Sequence, residues 1–241
     1  MPNAPVLLAL DTATSVCAVA VARAGAIDEV AREVGQRHSE HLLSMVDALL
    51  AAHSLRLEDC DAIAFGAGPG SFTGLRIACG VAQGLGYGVD RPLIPVSNLA
   101  AGALEAFAQC PDARTLLVAQ DARMNEAYVG VYAMNHGGLR EVAAPRLAAP
   151  RDLPELAEHY EVDAIAGNAL QIFGEQLVYA GRRIKAAAAG GARAIARLGL
   201  DALAAGITVE AAAAAPIYVR DHVALTVEER RTRGRRGPAG A

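Results

Sequence analysis

Apolar and polar positions follow two rhythms along this chain. Short runs dominated by Leu, Val, Ala and Ile read as strands, and stretches with apolar residues three and four apart read as helices. In the first half, Val6–Leu10 and Cys17–Val21 are strands joined by a tight turn, and Ile27–Val34, apolar but interrupted by charge, is a third. A helix follows to Ala52, with Ser39 as its expected N-cap. Ala62–Phe65 is a short buried strand, followed by a glycine-rich loop and a helix over Thr73–Tyr87. Leu93–Val96 is another strand, and Ser97 is placed to cap a helix reaching Gln109. The second half reads as strands Thr115–Gln120, Glu126–Met134 and Leu139–Leu147, helix Leu153–Tyr160, strand Val162–Ala166 and helix Leu170–Tyr179. An alanine-rich helix over 192–205 then precedes Pro216–Val219.

The two halves share more than their order. LLALDTATSVCAVAV, from Leu7, and LVAQDARMNEAYVGV, from Leu117, lie 110 residues apart, with Asp11 matching Asp121 and Ala18–Val21 matching Tyr128–Val131. Three strands, helix, strand, helix, given twice, is the order of a duplicated ribonuclease-H-like unit. The fold class is therefore α/β, with two lobes of the actin/hexokinase (ASKHA) superfamily and a duplicated βββαβα order. The N-terminal lobe is expected over 1–108, with the helix near 192–205 as a candidate addition to it, the C-terminal lobe over 109–222, and a disordered tail over 223–241. The other explanation is two unrelated α/β segments whose aspartates coincide.

Composition narrows the function classes. The hydrophobic fraction of 53% supports a full core, while the absence of Trp and an aromatic share of 4% argue against stacking platforms for single-stranded nucleic acid. A net charge of −4 is unlike a protein that grips nucleic acid by itself; the exception is the tail, where Arg230, Arg231, Arg233, Arg235 and Arg236 crowd among Gly and Pro. A solvated terminus and an RNA contact are the two readings of that tail. Four cysteines without a C-x-x-C pair, no secretory leader and no membrane-length apolar run point to the reducing cytoplasm and no membrane.

The most distinctive stretch is Gly66–Arg76, GAGPGSFTGLR, between a strand and a helix. Glycines let another group approach the backbone, and a helix N-terminus offers unpaired N–H groups to an anion. Candidate anion or cleft residues are therefore Asp11, Thr12, Gly68, Gly70, Ser71, Thr73, Arg76 and Asp121, with tight packing as the alternative use of the same loop. Neither a Walker loop nor the dinucleotide fingerprint is present. In the helix, Gly80, Gly84 and Gly88 recur every four residues beside Ile77, Val81 and Leu85. Each interior glycine costs about 1 kcal/mol relative to Ala, which suits a face that another element approaches closely. Leu42, Met45, Val46 and Leu49 form a stripe on the preceding helix, widened by Leu43 and Leu50. A core face and a partner face both fit such a stripe.

Catalytic constellations are lacking. His38 and His41 have no accompanying Cys or Asp cluster, H-E-x-x-H and G-x-S-x-G are missing, and Asp11-Thr12-Ala13-Thr14 lacks a phosphate-loop glycine. No catalytic residue, metal or cofactor is expected.

The segments ALDTATSVCAVAV, RHSEHLL, AFGAGPGSFTGLRIACGVAQGLG, VAQDARMNEAYVGVY and PIYVRDH together resemble the TsaB (YeaZ) family over about residues 5–222, and GPGSFTGLR is the specific part. The resemblance implies a non-catalytic scaffold of the complex that installs threonylcarbamoyl on adenosine 37 of tRNA. It implies a TsaD-like catalytic subunit and a TsaE-like ATPase as partners, with tRNA met through the complex. It also implies a first-lobe contact surface, here Leu42, Met45, Val46, Leu49, Ile77, Gly80, Val81 and Gly84, with a homodimer through the same surface as a further use. The competing expectation is a stand-alone nucleotide-binding enzyme of the superfamily.

Overall fold

The computed structural model describes residues 4–174, 182–184 and 191–220. The tail over 223–241, and the expected helix beyond Gly174, fall outside those residues in whole or in part.

Buried apolar runs form two five-stranded sheets of identical topology. The first holds β1 (Leu7–Asp11), β2 (Val16–Arg23), β3 (Ala26–Glu33), β4 (Ala62–Gly68) and β5 (Leu93–Ser97) in the order β3-β2-β1-β4-β5. The second holds β6 (Thr115–Asp121), β7 (Ala127–Asn135), β8 (Gly138–Ala148), β9 (Ala164–Ala166) and β10 (Arg182–Ile184) in the order β8-β7-β6-β9-β10. In both sheets the first three strands pair antiparallel and the next two add in parallel. Asp11 and Asp121 thus end equivalent central strands.

The period-2 pleat assigns the two faces of the first sheet different sizes. Leu8, Leu10, Val19, Val21, Ile63 and Phe65 face α1 (His38–Ala52) and α2 (Phe72–Val89). The opposite face is mostly alanine, with Ala9, Ala18, Ala20, Ala22, Ala62 and Ala64 packed against α6 (Ala192–Ala204). Small residues on both sides bring α6 close: a Cβ on Gly199 would sit 2.9 Å from the Ala64 Cβ. α6, which follows the second sheet in sequence, therefore packs on the first. In exchange, α3 (Asn98–Gln109) sends Leu99, Ala103, Ala106 and Phe107 onto Leu116, Val118 and Tyr132 of the second sheet. The other face of that sheet is covered by α4 (Leu153–His159) and α5 (Ala169–Ile172) through Leu153, Ala157 and Leu170. The exposed, charge-bearing β3 ends the first sheet, a composition that discourages edge-to-edge pairing.

The structure corrects several sequence expectations. The first helix starts at His38 with Arg37 in the N-cap position and no side-chain cap, so Ser39 lies inside it. β10 is a strand for which no run was assigned. The most consequential correction concerns α1. Leu42, Met45, Val46 and Leu49 are all 5% exposed or less and belong to the core under the first sheet. That stripe covers its own lobe and offers no apolar side chain to a partner.

Candidate functional site

The glycine loop is organised from beneath by a buried carboxyl. Asp11 Oδ1 accepts hydrogen bonds from the Ala13 N–H at 3.1 Å and the Asn98 side-chain amide at 3.0 Å. Asn98 Oδ1 in turn accepts from the Gly68 N–H at 2.8 Å. Gly66 has to be glycine, because a Cβ there would stand 2.5 Å from Asp11 Oδ1. Gly68 sits at φ +124°, a backbone conformation that side chains disfavour. Burial pushes the Asp11 carboxyl up to about 7, a desolvation penalty that outweighs the two hydrogen bonds favouring its charged form.

The start of α2 is held just as closely. Thr12 Oγ1 donates to the Gly74 carbonyl at 2.7 Å, and a Cβ on Gly74 would collide with the Thr12 carbonyl oxygen. Ser71 is the N-cap: its N–H donates to the Ala13 carbonyl at 2.8 Å, and its hydroxyl accepts from the Gly74 N–H at 3.4 Å. Arg76 donates to the Tyr218 hydroxyl at 3.0 Å and lies over the Phe72 ring at 3.8 Å.

Between the lobes lies a cleft of about 680 Å³. Of the candidate anion residues, Gly70, Ser71 and Asp121 line it, while Asp11, Thr12, Gly68, Thr73 and Arg76 do not. Asp11 and Thr12 are sealed in the N-terminal lobe at 3% and 0% exposure. The two equivalent aspartates therefore do not face one another across the cleft. Asp121 is the open one: its N–H donates to Asn168 Oδ1 at 2.8 Å, its Oδ1 accepts from the Arg123 N–H at 2.9 Å, and the Arg123 guanidinium lies 3.7 Å away. Among the described residues no group of three or more His, Cys, Asp and Glu is placed to hold a metal.

Sequence reasoning missed Asn98, Gln120, Asn168, Tyr218 and Arg220. Asn98 and Gln120 are buried polar residues in apolar surroundings, and such groups demand partners. That demand is the only signal the sequence offered. Tyr218 and Arg220 lie in the PIYVRDH segment, where no role had been assigned.

The outer face of α2 is open. Among the described residues, nothing lies within 4 Å of where a Cβ would stand on Gly80, Gly84 or Gly88. Ile77 and Val81 beside them are half-buried, and Tyr87 is 82% exposed.

The family model for TsaD, tRNA N6-adenosine threonylcarbamoyltransferase, matches residues 29–230. YeaZ from Pseudomonas aeruginosa, a solved structure, is 35% identical and superimposes with a TM-score of 0.81 over 89% of this chain and 99% of that one. The chain belongs to the TsaB (YeaZ) family. TsaB of Haemophilus influenzae, a tRNA threonylcarbamoyladenosine biosynthesis protein, is 50% identical over 123 residues, so the match spans about half of that relative, 51% of each chain. A ROK hexokinase from Thermus thermophilus, 14% identical with a TM-score of 0.50 over 81% of this chain and 99% of that one, shares the fold alone. The fold of this chain is thus a duplicated actin/hexokinase-like one. No helix among the described residues is long and apolar enough to cross a membrane.

Proposed function

We propose that this TsaB-family chain is a non-catalytic scaffold in tRNA threonylcarbamoyladenosine biosynthesis. It presents α2 to a TsaD-like catalytic subunit in the cytoplasm, with a TsaE-like ATPase joining the pair and tRNA met through the complex. The observation that carries this reading is the open glycine face. Three glycines inside one helix cost roughly 1 kcal/mol each relative to Ala. In α2, Gly74 and Gly86 are explained by contacts within the lobe, whereas among the described residues nothing stands within 4 Å of a Cβ on Gly80, Gly84 or Gly88. A face that forgoes side chains without an internal neighbour fits close approach by another chain. Ile77 and Val81 supply its apolar border, and Leu43, half exposed on α1, extends it. A second copy using the same face is the homodimeric form of this arrangement.

Arg introduced at Gly84 is the direct test. The variant is expected to fold as the parent does, since its side chain enters open space, but to lose co-purification with a TsaD-like subunit. Threonylcarbamoyl transfer by the reconstituted mixture should fall with it. A stable complex containing Gly84→Arg would remove the interface.

The volume of the cleft favours one other reading, a stand-alone nucleotide-binding enzyme. Against it, Asp11 lies under the glycine loop and not on the cleft wall. Titration calorimetry of the purified chain with Mg-ATP separates the two: micromolar binding without any partner supports the enzyme.

A further inference from the structure

The segment after α6 returns to the N-terminal lobe and is fastened along it. The Ala214 carbonyl accepts from the Gln83 side chain at 3.0 Å, and the Ile217 N–H donates to the Ala67 carbonyl at 2.7 Å. The Tyr218 hydroxyl accepts from Arg76 at 3.0 Å, and its ring lies 5.8 Å from that of Phe72. Two residues later the same segment grips the other lobe. Arg220 donates to the Ala122 carbonyl at 2.9 Å and pairs with Glu126 at 2.8 Å, across the turn between β6 and β7. The Arg220 side chain is only 13% exposed and that of Glu126 39%, so this is a partly shielded, charge-assisted contact.

We infer that residues 214–220 form an interlobe latch whose closing contact is Arg220 on Ala122 and Glu126, and that the latch sets the width of the cleft. Three features of the fold support this. The lobes already share a packed junction, where α3 and α6 lie between the two sheets. Ile217, Tyr218, Val219 and Arg220 form one wall of the cleft, so the strap spans the space whose width it would control. The grip is also uneven. Along the N-terminal lobe the strap is held by a series of backbone and side-chain bonds, whereas on the C-terminal lobe, among the described residues, it is held through the side chain of Arg220. A strap anchored at one end and hooked at the other by one residue can release the hook without dissolving either core. If the segment served only to pack the N-terminal lobe, the cleft would not depend on Arg220 at all.

Cleft width is the quantity to measure, on the full chain. Gln36 and Arg123 line the cleft from opposite lobes and are exposed, so cysteines placed there accept spin labels. The native Cys17, Cys60, Cys79 and Cys110 are buried. Arg220→Ala is expected to broaden the label-to-label distance distribution by pulsed electron resonance. Hydrogen exchange of the Ile217 amide, whose acceptor Ala67 lies on the anchored end, should stay near the parent's rate. Glu126→Gln, which removes the charge but keeps an acceptor, should fall between. Should Arg220→Ala not fold, Arg220→Gln gives the same test. A distance distribution superimposable on the parent's, in whichever Arg220 variant folds, overturns the latch.

Discussion

The two lobes share one topology, yet their equivalent aspartates do opposite things. In the N-terminal lobe Asp11 is sealed under Gly66, bonded to Asn98, and held neutral by desolvation to about 7. In the C-terminal lobe Asp121 stands at the cleft beside Arg123, with Asn168 taking its backbone N–H and not its carboxylate. The helix after each glycine-containing turn differs too. In the first lobe it is the 18-residue α2 with its open outer face; in the second, the described α5 is 4 residues long. A duplicated fold thus keeps the sheet, which buries most of the apolar surface, and lets its strand ends diverge. One copy has become a rigid platform for a helix, and the other a cleft wall.

The sharpest way to break this contrast is a single methyl group in the platform. Gly74→Ala places a Cβ into the Thr12 carbonyl, which backbone movement alone can relieve. We expect about 3 kcal/mol or more of lost stability in urea unfolding, or no folded protein. The same change at Gly84, in open space on the same helix, is expected to be neutral or to stabilise by up to about 1 kcal/mol. Equal effects at the two sites would mean that α2 is not pinned at one end and open along its outer face.

The next largest effect is carried by proton linkage at Asp11. The unfolded chain ionises this residue near 3.8, while the folded chain holds its proton up to about 7. Below the unfolded value both states are protonated and the contribution is whole. Between the two values the native state binds more protons than the unfolded state, so stability falls as pH rises through that window. The loss is on the order of a few kcal/mol. Asp11→Asn keeps one oxygen acceptor and has nothing to ionise. The parent should therefore lose stability relative to Asp11→Asn between about pH 4 and pH 7 in denaturant titrations. Parallel curves would show that Asp11 is charged in the fold and that the two aspartates are not so different.

The smallest effect belongs to the open copy. Arg123 is 90% exposed, so Arg123→Ala should change stability by no more than about 0.5 kcal/mol and leave unfolding cooperative. A loss comparable to that at Gly74 would make the cleft wall as structural as the platform.

Much of this architecture is legible along the chain. The strand runs of the first lobe, the repeat linking Leu7 and Leu117, and the caps at Ser71 and Ser97 all depend on residues within a few positions of one another. What misled was the stripe on α1. An apolar face at helical spacing looks the same whether it covers its own sheet or another protein, and Leu42, Met45, Val46 and Leu49 turned out to cover their own. On α2, by contrast, the glycines at 80 and 84 have no neighbour among the described residues where a side chain would stand.

By itself the sequence determined most of the strands and helices and that the unit is duplicated, and its motifs, GPGSFTGLR above all, carried the family resemblance. The elements rest on local spacing, which pleat and helix periodicity convert directly into buried and exposed faces. Only the tertiary structure decided that Asn98 bridges Asp11 and Gly68, that α3 and α6 cross to serve the opposite lobes, and that Arg220 reaches Ala122 and Glu126. Each of those joins elements that are far apart in sequence. Their partners are set by how packed layers place side chains in space, and no periodicity along the chain encodes that.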